Sequence, residues 1–257
     1  MNYSSQPSAE RAIEILSSLE EQVGAENLAF WVTPNTVLTL SGARAYCDGV
    51  FYGTDAVLKE AHARITTSLD ALGEILPLYT AESLLRTNPL GETYVGYDVV
   101  TQQGLEYVLA QTQLVDLPLK NLKPSSDADF AGLMGQLMEV VSAADLPNIS
   151  SDNAKNDLAF GLLLGYPDKA MLGAIPHFGH RDPFESRLID ADIKGADYYP
   201  CPQPVYAYPR DLTQDPDILA HEELWSRILQ DFYTSAFHKK LENNSAFKKY
   251  SKLLGRF

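Results

Sequence analysis

Apolar residues recur at helical spacing in several stretches of the chain and gather into short unbroken runs between them. Ala12, Ile15, Leu16, Leu19 and Val23 fall on one helix face, opened by Pro7-Ser8 and closed by Gly24. Val57, Ala61, Ile65, Leu69 and Leu72 repeat the pattern, with Thr54 or Asp55 as cap and Gly73 as stop. The rhythm is strongest at Phe130, Leu133, Met134, Leu137, Met138 and Val141, with Ser126 or Asp127 as cap and Pro147 as end. Asp152 opens a further helix through Leu164, closed by Gly165 and Pro167, and Asp168 opens a short one through Ile175. Asp215-Pro216 heads a long helix with Trp225, Ile228, Leu229, Phe232 and Ala236 as its apolar stripe. Acids Asp217, Glu222 and Glu223 near its start and Lys239 and Lys240 near its end match the helix dipole.

The shorter runs read as strands. Residues 28–32 and 36–40 flank the turn residues Pro34-Asn35 and predict a hairpin. Phe51 and Tyr52 lie between Gly49 and Gly53 in a loop or short strand, and residues 75–79 read as a strand interrupted by Pro77. Residues 93–100 and 105–114 are rich in Tyr, Val and Leu and predict an antiparallel pair joined through 101–104. The fold class that follows is α+β, with helices against a mostly antiparallel sheet in the N-terminal half and a mainly helical C-terminal half. The polar, Pro-broken stretch 117–129 is the candidate boundary. It divides the chain into regions 1–123 and 124–257, or lies within one continuous domain. Seven Pro between 176 and 216 predict an extended segment there.

Composition narrows the function classes. The 257 residues carry a formal charge of -14 with only two Cys, Cys47 and Cys201. Two distant cysteines are no disulfide framework, so both read as reduced thiols in a cytoplasmic protein. The first basic residue is Arg11, and no charged start precedes an apolar run, so no signal peptide is expected. The most apolar run, 158–167, is about half the ~20 residues a membrane span requires, so no membrane segment is expected. The acidic balance argues against general nucleic-acid binding. Residues 236–257 nevertheless hold six basic residues and one acid, a net +5 that leaves -19 on residues 1–235. Such a basic C-terminal helix suits an acidic protein partner, a neighbouring subunit or the chain's own body.

Candidate chemistry concentrates between residues 176 and 210. His177, His180 and Asp182 could hold a divalent metal, since imidazole and carboxylate suit Zn, Mn or Fe, and a His there could serve as general base. Glu185, Asp190, Asp192 and His221 are possible contributors. Tyr198, Tyr199, Tyr206 and Tyr208 are candidate binding residues. Pro200, Pro202 and Pro204 hold the backbone extended, which puts Tyr206 and Tyr208 on one side, either as a binding face or as a cover over the core. Gly161 and Gly165 would let a backbone or ligand approach a helix closely, and Gly42-Ala43-Arg44 has a loose likeness to a phosphate loop. There is no G-x-G-x-x-G, no P-loop, no G-x-S-x-G, no C-x-x-C and no H-E-x-x-H. Three readings follow: a non-catalytic binding or regulatory module, a hydrolase built on His177, His180 and Asp182, and a self-assembling subunit.

Overall fold

A computed structural model describes residues 6–29, 32–114, 130–144, 146, 149, 151–175, 188–194 and 206–254. The chain begins with α1 (Ala9–Val23), capped by the Ser8 hydroxyl and closed by Gly24 at φ +84°. Two short helices follow, α2 (Ala25–Leu28) and α3 (Pro34–Ser41). These replace the expected hairpin. The Thr33 side chain accepts a hydrogen bond from the Thr36 amide and Pro34 occupies the first helical position, both helix-start chemistry. Val37, Leu38 and Leu40 are all buried, so α3 lacks a polar face and its period is invisible in the sequence.

The sheet comes next. Strand β1 (Tyr46–Tyr52) occupies the Gly-flanked stretch 49–53 and begins before it, and helix α4 (Asp55–Ile75) follows. Helix α4 runs past Gly73 to Ile75, so β2 (Leu78–Thr87) starts after Pro77 and extends well beyond Tyr79. Strand β3 (Thr93–Thr101) lies between the other two in the antiparallel order β1-β3-β2. The expected partner strand at 105–114 is instead helix α5 (Gln102–Gln111). Thr101 ends the strand and caps the helix, its hydroxyl accepting from the Gly104 amide at 3.1 Å. Leu105, Val108 and Leu109 are buried at helical spacing.

The second half holds α6 (Phe130–Ala143), α7 (Asp152–Leu163) and α8 (Asp168–Ala174), close to the spans the apolar spacing predicts. A small antiparallel pair joins β4 (Leu188–Asp190) to β5 (Ala207–Pro209). Helix α9 (Pro216–Thr234) starts where Asp215-Pro216 predicts. It stops earlier than expected, because Ser235 turns extended and caps a new helix, α10 (Ala236–Asn243), followed by α11 (Ser245–Leu254). Ala236 is therefore exposed rather than part of the α9 stripe. Lys240 on α10 reaches Glu20 of α1 at 2.8 Å, so the basic C-terminal segment touches the acidic body of its own chain.

The molecule is α+β, with the three-stranded sheet between two hydrophobic clusters. Cys47, Phe51, Val95, Tyr97 and Val99 share a face with α1, α3, α4 and α9. Tyr46 and Val100 face the other way, where the Tyr46 ring stacks on Phe130 at 4.8 Å and meets Phe160 at 5.3 Å. Alternation along each strand produces this division. Among the described residues no helix is long and apolar enough to cross a membrane.

Candidate functional site

The site begins with a four-residue loop, 42–45, between α3 and β1. Gly42 at φ +88° ends α3. The amides of Ala43 and Arg44 then donate to the Leu38 carbonyl, the Ala45 amide donates to Leu163 of α7, and the Ala45 carbonyl accepts from Thr101. Two glycines make room for this backbone. A Cβ on Gly165 would lie 2.9 Å from the Ala43 carbonyl oxygen, and one on Gly104 would lie 2.0 Å from that of Arg44. The loop is thereby fixed by α3, α5 and α7 together.

The loop places the Arg44 side chain in the interior, 2% exposed. Its Nη1 donates to the Asn35 side chain on the first turn of α3. Among the described residues its Nε has no hydrogen-bond partner and the side chain forms no ion pair. Burial lowers its pKa, yet an arginine in a protein stays charged. The guanidinium carbon instead sits 5.5 Å from the centre of the Trp225 ring, a cation–π arrangement.

Trp225 is the hub of the surrounding aromatic cluster. It is fully buried on the inner stripe of α9, and His221, one turn earlier, packs against it with ring centroids 4.6 Å apart. Tyr206, just before β5, meets Trp225 edge-on at 5.9 Å and His221 at 5.5 Å. Tyr166 lies 5.3 Å from Tyr206 and 6.2 Å from Trp225. The C-terminus of α7 positions Tyr166 through Gly165 at φ +70°. The Gly165 amide donates to Leu162 and the Tyr166 amide to Gly161, a Schellman closure.

Four polar atoms in this cluster are sealed from solvent without a hydrogen-bond partner among the described residues: Arg44 Nε, His221 Nε2, Trp225 Nε1 and the Tyr206 hydroxyl. Leaving such a group unsatisfied costs about 1–3 kcal/mol, so proteins normally pair them with protein, water or ligand. Neighbouring Tyr208 shows the usual outcome. Its hydroxyl donates to Glu222 at 3.0 Å, and the Asp192 amide donates to the same carboxylate oxygen at 3.2 Å. Burial raises the pKa of Tyr166 and Tyr206, keeping both hydroxyls protonated, and pushes Tyr208 up to about 12.

A pocket of about 360 Å³ lies against this cluster, among α7, α8 and the start of β5. Phe160, Leu164, Met171 and Ile175 supply its apolar walls, and Tyr166 and Tyr206 form the side shared with the cluster. Asp157, exposed on α7, is the charged residue among its described lining. Gly161 lines the pocket, where a Cβ would lie 2.5 Å from Met171 Sδ. Gly165 has left the helix and packs on the Arg44 loop, so the two glycines serve different neighbours.

His221 carries a pH dependence. Burial first, and then the Arg44 charge, depress its pKa from 6.5 to about 3. Between those values the unfolded chain holds a proton that the folded protein does not, so the stability His221 contributes is intact above pH 6.5 and is lost as pH falls toward 3. At pH 5 the expected loss is about 2 kcal/mol. His238, also depressed chiefly by burial, acts in the same direction. Denaturant titrations at pH 7 and pH 5 check this: the gap is expected to shrink by most of that amount in His221→Leu, and an unchanged gap would refute the assignment.

Several expected residues fall elsewhere. His177, His180, Asp182, Glu185, Tyr198, Tyr199 and Cys201 lie outside the described residues. Tyr206 and Tyr208 are neighbours with centroids 6.0 Å apart, and both are buried. Among the described residues no group of three or more His, Cys, Asp or Glu is placed to hold a metal. Cys47 is buried and its thiol is pushed up to about 12, mainly by burial, which leaves it a poor nucleophile. Arg44 had a signal that periodicity overlooks: it is the lone charge in the run V-L-T-L-S-G-A-R-A-Y-C, where a basic residue must find a special environment. No family model, curated protein or solved structure matches this chain.

Proposed function

We propose that the protein is a non-catalytic binding module that takes a small, largely apolar molecule into the pocket among α7, α8 and β5. The observation that carries this reading is the pocket wall. It is about 360 Å³ of mostly apolar lining with two tyrosines, within the ~300–1,000 Å³ range of small-molecule sites. Burial holds both of its tyrosines protonated, which leaves neither as a base or a nucleophile. Cytoplasmic residence accompanies this reading, supported by the two-cysteine composition. The basic segment 236–257 is proposed as the contact for an acidic protein partner or a second copy of the chain, on the strength of its net +5.

A neutral fluorescent probe, 1-aminoanthracene, tests the pocket. The wild-type protein is expected to bind it saturably with one site. Ala207→Phe, which places a ring at the pocket wall from a half-buried position, is expected to weaken binding at least tenfold. Absence of saturable binding, or equal binding by the variant, would refute the reading.

A further inference from the structure

Strand β2 is an edge of the three-stranded sheet, and of the described elements only β3 and α4 pack closely against it. Its last four residues, 84–87, are exposed, Leu84 by 40% and Leu85 by 50%. An open edge strand that carries exposed leucines is a template for another strand. We propose that β2 pairs antiparallel with β2 of a second copy of this chain, about a two-fold axis at Leu84, to make one continuous sheet.

Charge fixes the register. In a two-fold antiparallel pair the residue at the axis meets itself and its neighbours exchange partners. With Leu84 at the axis, Glu82 stands opposite the partner's Arg86 and Arg86 opposite the partner's Glu82, all on the sheet face that carries Leu84. Opposite charges directly across a strand pair are favourable and like charges are not. Within its own chain Glu82 sits beside Asp98, another acid, and among the described residues it forms no ion pair. Arg86 bonds Asp98 through Nη2 at 3.2 Å with its side chain 42% exposed, so its fork can take a second carboxylate. An axis at Glu82 or at Arg86 would set like charges against each other. An axis at Ser83 or at Leu85 would set Leu84 against a charge.

The same register joins apolar surface. Val50, Gly96 and Leu84 form one row across the sheet, and Tyr52 and Tyr94 lie in the next row on that face with ring centroids 5.6 Å apart. Val50 and Tyr52 are exposed like Leu84. Pairing at Leu84 continues this band into the second copy and covers both leucines. The interface is separate from the pocket among α7, α8 and β5 and does not rest on it.

Sedimentation velocity over a concentration series is the test. The wild-type chain is expected to show a reversible monomer–dimer equilibrium. Leu84→Lys, at an exposed position, sets two ammonium groups face to face and is expected to raise the dimer Kd at least tenfold with an unchanged circular dichroism spectrum. Glu82→Arg is expected to weaken the dimer comparably, and the double variant Glu82→Arg/Arg86→Glu, which exchanges the two charges, to recover most of the loss. A monomer at every concentration would overturn the proposal, as would a double variant no tighter than Glu82→Arg. A dimer indifferent to Leu84→Lys would also overturn it and leave the basic segment 236–257 as the contact between copies.

Discussion

Trp225→Ala is expected to destabilise the protein by about 3–5 kcal/mol, the range for truncating a fully buried large aromatic. The indole is completely inaccessible and makes ring contacts with His221, Tyr206 and Tyr166. Removing it opens a cavity in the main hydrophobic cluster and takes away the π face beneath Arg44. The cation–π contact alone is worth roughly 0.5–2 kcal/mol. Trp225→Phe should cost much less, since it preserves a ring and deletes the unpartnered Nε1–H. Urea denaturation of both variants checks the ordering. A loss below about 1.5 kcal/mol for the alanine would contradict the packing described.

Gly104→Ala carries the second large effect, and two forces oppose each other there. Gly104 lies in the first turn of α5, where alanine would normally favour the helix by about 1 kcal/mol. The new Cβ, however, would stand 2.0 Å from the Arg44 carbonyl oxygen, 2.7 Å from Thr101 Oγ1 and 2.8 Å from the Ala45 Cα. Two of these neighbours are backbone, fixed by hydrogen bonds to α3 and α7, so neither can rotate away. Overpacking of this kind costs about 1–3 kcal/mol or more. A net loss of about 2–3 kcal/mol is therefore expected in thermal or chemical denaturation. A stabilised variant would show that the loop is free to shift. The control is Gly135→Ala in α6, where a Cβ meets nothing within 4 Å and helix propensity acts alone.

Where one face of a helix is buried and the other is wet, the sequence displays it. Helices α1, α4, α6, α7 and α9 were legible for that reason, and α9 also displays its Asp-Pro start. Helix α3 was not legible, because its exterior is covered and its apolar run is as compatible with a strand as with a helix. Helix α5 follows β3 without an intervening residue, so Thr101 reads as a hairpin loop unless its capping role is recognised. The candidate site was legible only in fragments. Arg44, Tyr166, Tyr206, His221 and Trp225 come from four separate stretches, and of these only His221 and Trp225 show a sequence spacing that brings them together. Their convergence is tertiary, set by the loop at 42–45, the Schellman turn at Gly165 and the register of α9 against α3.

The contact between Lys240 and Glu20 spans 220 positions of the chain. Helix α1 also packs on α9, and Leu16 and Leu19 lie in the same cluster as Trp225 and Phe232. During synthesis the ribosome delivers α1 roughly 200 residues before this cover, and at about 5–20 residues per second that interval lasts about 10–40 s. Throughout it the apolar stripe of α1 has its local partners α2, α3 and α4 against it but not α9. The nascent chain is thus most exposed to self-association while it is being made, and that window closes when α9 and α10 leave the exit tunnel.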